Sequence, residues 1–167
     1  VTMLEEHGDR NYISLETGDR HFYRCFIAPG ATQSAWRHCH PFITLDGCYT
    51  KSRFRIILLL ACTLDAKNKI LPLTWGIVLI KDGKNWTWFL NHMRFYFDSM
   101  DMEGMVFISS QDKDLQTAVL EVLSKVDHSH CYQHLAGNIQ KHFGLQAQNA
   151  FWKASYALNA FNFEEAL

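Results

Sequence analysis

The chain has 167 residues, 48% of them hydrophobic, with 12 Phe, 6 Tyr and 5 Trp and a net charge of −1. That composition excludes a disordered chain and an overall basic footprint for nucleic acid, so any DNA contact has to come from local patches or flanking segments. The length suits one domain with a sizeable core. The odd set of Cys25, Cys39, Cys48, Cys62 and Cys131 forms no regular framework and reads as reduced thiols of an intracellular protein.

Residues 1–20 are polar and acidic without clear periodicity and read as a flanking segment. "HFYRCFIAP" (21–29) predicts a strand ended by Pro29-Gly30, and "ATQSAWRHC" a short helix or loop. His38 and His40 then fall in a loop before the strand "FITLDG". "FRIILLLACTLDA" (54–66) is nearly continuous apolar sequence, as in a strand covered on both faces. Its apolar run, Ile56–Cys62, is far too short to span a bilayer, and no signal-peptide pattern is visible. "DAKNK" predicts a hairpin turn, and "ILPLTWGIVLI" (70–80) the next strand, with Pro72 near its start.

Helical spacing follows in "NWTWFLNHMRFYF" (85–97), with Asn85 as the expected N-cap and Trp86 in the core. "MVFISS" (105–110) predicts a short buried strand and "LQTAVLEVLSKV" (115–126) an amphipathic helix capped by Asp114. Residues 128–167 read as mostly helical. Strands joined by short turns, then a β–α alternation, predict an α/β fold: a mixed sheet flanked by helices. The ribonuclease H-like fold has this order. It sets one acid on its first strand and a second at the end of its fourth, here Asp46 and the stretch from Ser110 to Asp112.

Asp46 with Gly47 is either a turn signal or a carboxylate mounted on a rigid strand end. Lys51, Arg53 and Arg55, two apart, would share one face of a strand or hairpin, as a charged edge or as contacts to DNA phosphates.

The blocks "FITLDGCYTKSRFRIILLLACTLDAKNKILPLTWGIV", "NWTWFL", "VFISSQDKDLQTAV" and "HSHCYQHLAGNI" resemble, in order, the catalytic core of Mutator-like element transposases. The resemblance spans about residues 22–143. It divides the chain into a flanking segment (1–20), a ribonuclease H-like core (21–143) and the start of a helical insertion (144–167). It implies a nuclear protein acting on DNA, with no membrane association, whose three acids hold two divalent ions, Mg²⁺ or Mn²⁺. Asp46 matches the first acid and would be a metal ligand. The second acid's position is occupied by Ser110, whose hydroxyl is neutral and a poor ligand for a hard cation. Asp112, two residues on, is the substitute to weigh. The block that carries the third acid is not found before Leu167, and Glu164 and Glu165 read as a solvated helix face. Cys131 and His134 match the Cys-x-x-His signature and would share one face of a helix. They read as packing, as a DNA-end contact, or as half of a zinc site, with His128 and His130 completing it only if the backbone converges them. The expectation is a transposase-derived domain related to DNA cleavage and strand transfer, incomplete or inactive in catalysis. The alternative is a domesticated, non-enzymatic DNA-associated or regulatory protein.

Overall fold

Runs rich in β-branched and aromatic residues, punctuated by tight turns, build strands through most of the chain. The computed structural model describes the backbone of residues 2–8 and, in full, residues 11–19, 21–51, 53–97 and 104–164. The strands are β1 (Thr2–Gly8), β2 (Asn11–Gly18), β3 (His21–Ala28), β4 (Phe42–Tyr49), β5 (Ile57–Leu64), β6 (Ile70–Val78), β7 (Val106–Ser109) and β8 (Asp127–His130). The helices are α1 (Gly30–Ala35), α2 (Gly83–Tyr96), α3 (Lys113–Val122), α4 (Tyr132–Ser155) and α5 (Ala160–Glu164).

Among the described residues the strands form one sheet in the order β1-β2-β3-β6-β5-β4-β7-β8. Neighbours from β1 across to β4 pair antiparallel, whereas β4 and β7 pair in parallel. Counted from β4, the last five positions of that order read third, second, first, fourth, fifth. This is the ribonuclease H-like arrangement, an α/β mixed sheet flanked by helices.

One face of the sheet carries Phe26, Ile43, Leu45, Leu59, Val78 and Phe107, all buried, and α2 packs on it through Trp86, Phe89, Leu90 and Met93. The core therefore sits between the sheet and the α2–α3 pair. The approach of α2 is close. A Cβ on Gly76 would lie 2.7 Å from a Phe89 ring carbon, and one on Gly47 would lie 3.0 Å from the Trp86 ring. The β5–β6 register shifts between Ala61 and Cys62, so Cys62 pairs with Pro72 rather than Leu73. The irregularity accommodates a proline that cannot donate to a regular ladder.

Three local expectations are corrected. The first 20 residues supply β1 and β2, which extend the sheet beyond β3. They escape a periodicity reading because the residues of β2 that face inward, Tyr12, Ser14 and Glu16, are mostly polar. The cap of α2 is Asp82, whose Oδ1 accepts from the Asn85 N–H at 2.9 Å, while Asn85 is buried and donates to the Ile80 carbonyl at 3.0 Å. The stretch 127–130 is a strand, not helix.

The chain divides into two compact units, one ending at Ser129 and the other beginning at His130. In the second unit α4 bends at Gly144, whose φ of 86° is a conformation that glycine adopts without strain. The two halves of α4 double back: Gln148 Nε2 donates to the Ala136 carbonyl at 3.2 Å, and the rings of Tyr132 and Phe151 meet edge-on at 5.9 Å. No helix among the described residues is long and apolar enough to cross a membrane.

Candidate active site

The parallel ladder of β4 and β7 pairs Thr44 with Ile108 and Leu45 with Ser109. Asp46 is the next residue of β4, and Ser110 is the first residue beyond the end of β7; carried one residue further, the same register would set them about 4.8 Å apart. By the alternation along β4, Asp46 lies on the sheet face opposite Leu45 and the core. Asp46 is exposed, and its Oδ1 accepts from the Gly47 N–H at 2.8 Å. Its charge reaches Cys62, which pairs with Thr44 across β4 and β5. Burial, with Asp46 adding to it, pushes the Cys62 thiol up to about 11.

Ser110 brings no charge to this pair. Its Oγ accepts weakly from the Asp112 N–H at 3.4 Å. Asp112 is the cap of α3, in place of the expected Asp114: its Oδ1 accepts from the N–H groups of Asp114 (3.0 Å) and Leu115 (3.3 Å). Its Oδ2 is held by Lys81 Nζ at 2.9 Å. Desolvation alone would raise the Asp112 carboxyl. The hydrogen bond from Lys81, the two backbone donors and the Lys81 charge outweigh it and hold the group below the usual aspartate range. Asp112 is therefore engaged as a helix cap and ion-pair partner, with both oxygens committed.

Lys81, which the sequence did not single out, has its stem against Gly47, where a Cβ would come within 3.1 Å of Lys81 Cε. The glycine after Asp46 thus leaves room for the lysine that holds Asp112. The signal for it lay only in the long-range pairing, since "IKDGKN" by itself reads as an ordinary turn.

Ser109 Oγ lies 2.8 Å from His128 Nε2, tying β8 to β7. In the second unit Cys131 is the N-cap of α4, without a side-chain capping bond, and His134 lies in the first turn. The expected i, i+3 placement at a helix start is present. Among the described residues, however, no three His, Cys, Asp or Glu side chains gather to hold a metal ion. Cys131 and His134 lack the further ligands a closed zinc site needs. Asp46 with Ser110 does not fit a pair of divalent cations, whose repulsion must be offset by several anionic ligands.

Lys51, Arg53 and Arg55 are all exposed, but not along one strand face as predicted. They occupy the turn from β4 to β5, closed by Thr50, whose N–H and Oγ1 both donate to the Ile56 carbonyl at 3.0 Å. Arg55 takes a φ of 46°, so the period of two does not apply. His40 lies in the loop before β4, as expected, whereas His38 ends a short 3₁₀ helix (Trp36–His38) rather than lying in a loop. Trp86 is fully buried. Glu164 is exposed in α5, and Glu165 lies outside the described residues.

A ribonuclease H-like sheet with an acid, Asp46, on its first core strand defines the class by its fold. Within it the chain belongs to the Mutator-like element transposases, since the family described as MULE transposase domain matches residues 42–138, more than half its length. No curated protein matches the chain. Strands β1 to β3 precede the matched region and yet complete the same sheet.

Proposed function

We propose that this is a transposase-derived DNA-associated domain that keeps the ribonuclease H-like scaffold and the first acid, Asp46, but lacks the acid set for DNA cleavage and strand transfer. The observation that carries this reading is the register neighbour of Asp46: a neutral Ser110, with the nearest acid in sequence, Asp112, committed to Lys81 and the α3 N-terminus. Cleavage in this family calls on Mg²⁺ or Mn²⁺ held between carboxylates, and the donors present here do not match that need. The same observation favours a domesticated, non-enzymatic role over an active enzyme.

DNA is the partner, in keeping with family membership, and the nucleus is the compartment. The exposed Lys51, Arg53 and Arg55 directly follow β4, so the turn that begins beyond Asp46 presents three cations to a phosphate backbone. The test is a pair of assays on duplex DNA in Mn²⁺. Salt-sensitive binding that weakens on Arg53→Ala and Arg55→Ala, without strand scission, supports the reading. Scission abolished by Asp46→Ala overturns it.

A further inference from the structure

A second constellation lies away from Asp46, where β3 meets α2 and α3. Glu16 is 6% exposed. Its Oε2 accepts from Arg24 Nε–H at 2.8 Å and its Oε1 from Trp88 Nε1–H at 2.8 Å. The Arg24 guanidinium is stacked over Trp88, 4.6 Å from the ring centroid, and over Tyr23 at 5.1 Å. Nη1 donates weakly to Asn85 Oδ1 at 3.4 Å. Guanidinium carries five N–H donors. The two on Nη2 and the second on Nη1 meet no acceptor among the described residues, although the side chain is only 18% exposed. A fixed, largely desolvated cation fork with open donors favours a bidentate carboxylate or phosphate.

Arg24 lines a groove of about 670 Å³ between α2 and α3. Its walls differ in charge. Arg24 and Lys84 stand on one side, and Asp114 and Glu121 of α3 on the other, with Thr87 and Thr117 between. A purely anionic ligand would satisfy Arg24 but meet the two α3 carboxylates, with Glu16 behind. A purely cationic one would leave the fork unfilled. The aromatic surfaces of Tyr23 and Trp88 add apolar contact to the same wall.

From this charge arrangement we infer that the groove is a protein-docking site for a peptide segment carrying a carboxylate and a cationic side chain close together. The carboxylate seats on Arg24 and the cation faces Asp114 and Glu121. A DNA backbone, uniformly anionic, is disfavoured by the α3 wall. The inference stands apart from the acid site and from any DNA contact of the β4–β5 turn.

The test is heteronuclear NMR on the isotope-labelled full chain, following the Arg24 Nε–H and Trp88 Nε1–H signals. The probes are three short peptides (alternating glutamate and lysine, all glutamate, all lysine) and a DNA duplex. The alternating peptide moves both signals, and the uniform peptides do so at least about tenfold more weakly, the worth of one charge-assisted pair. Arg24→Lys, which keeps the charge and loses the fork, weakens the response. Because Arg24 also partners Glu16, Glu121→Lys serves as a second variant that spares that pair: Glu121 is exposed and accepts only weakly from Thr87 Oγ1, at 3.4 Å, and the change shifts preference toward the all-glutamate peptide. A response to the duplex without one to the peptides overturns the proposal in favour of a nucleic-acid surface. Silence toward every peptide at millimolar concentration, or an unchanged preference in Glu121→Lys, also overturns it.

Discussion

Lys81 Nζ lies 2.9 Å from Asp112 Oδ2, an ion pair that joins the end of the β6–α2 connection to the start of α3. It fixes how the acid end of the sheet is used. Asp112, the acid nearest Ser110 in sequence, is turned toward the helix it caps and toward a lysine that fills the space Gly47 leaves open. A metal at Asp112 would have to displace that ammonium and uncap α3.

Asp112→Ala is expected to destabilise the fold by about 1–2 kcal/mol, from the lost N-cap and a partly exposed ion pair. Asp112→Asn, which still caps, should lose less. The pH dependence has a definite sign. The folded-state carboxyl is held below the usual aspartate value, so its contribution is complete above an unfolded pKa of about 3.9 and disappears as pH falls through the lower folded value. Urea unfolding from neutral pH downward checks this: the wild-type advantage over Asp112→Asn should persist at neutral pH and close only in strong acid.

Glu16→Ala should cost about 1.5–3 kcal/mol, because it leaves Arg24 and the Trp88 indole N–H without their buried acceptor. The same logic extends to truncation. A chain shortened to the family-matched region loses the seats of Glu16 on Trp88 and of Tyr12 on His92, whose hydroxyl–Nδ1 distance is 2.8 Å. Chemical denaturation of the full and shortened chains should show a lower midpoint for the latter. Equal midpoints would mean the N-terminal strands are an appendage.

Gly76→Ala is predicted to destabilise by about 1–3 kcal/mol, through overpacking rather than lost flexibility. The new Cβ would sit 2.7 Å from a carbon of Phe89, which is fully buried and has little room to retreat. Pairing it with Phe89→Leu tests the cause. The double variant should recover part of the loss, whereas additive losses would remove the steric explanation.

The strands of the core were legible where side-chain period and chemistry agreed. The strand through "FITLDG", the long apolar run of β5 and the Asp65–Lys69 turn resolve as read. Legibility failed where polar residues do the burying. Ser14 and Glu16 face the core side of β2; Ser14 Oγ finds no hydrogen-bond partner among the described residues, and Glu16 is satisfied only by residues distant in the chain. Periodicity cannot report partners that folding alone brings together. Cap placement failed for a related reason: "DKD" offers two equivalent acids in local sequence, and Lys81, remote along the chain, pairs with the first. The parallel pairing of β4 with β7, which sets Leu45 beside Ser109, was readable because strand order follows from chain order in this fold.

The decisive experiment on the acid site restores one charge. Two divalent ions at close range repel strongly and need several carboxylates, whereas the end of β4 supplies Asp46 and the first residue beyond β7 is the neutral Ser110. Ser110→Asp would set a second carboxylate about one strand spacing from Asp46, close enough to share one hard cation. Mn²⁺ affinity by calorimetric titration should then rise at least about tenfold, or 1.4 kcal/mol, over the unmodified chain. DNA cleavage should not appear, because the restored pair still holds fewer carboxylates than two divalent ions call for. Releasing Asp112 by Lys81→Met in the same background separates the remaining possibilities. If that double variant cuts DNA, Asp112 completes the site once its ammonium partner is gone, and the lysine is the block. If Mn²⁺ affinity is the same with and without Ser110→Asp, the side chain at position 110 does not face Asp46, and the assignment of the second acid's place to Ser110 fails.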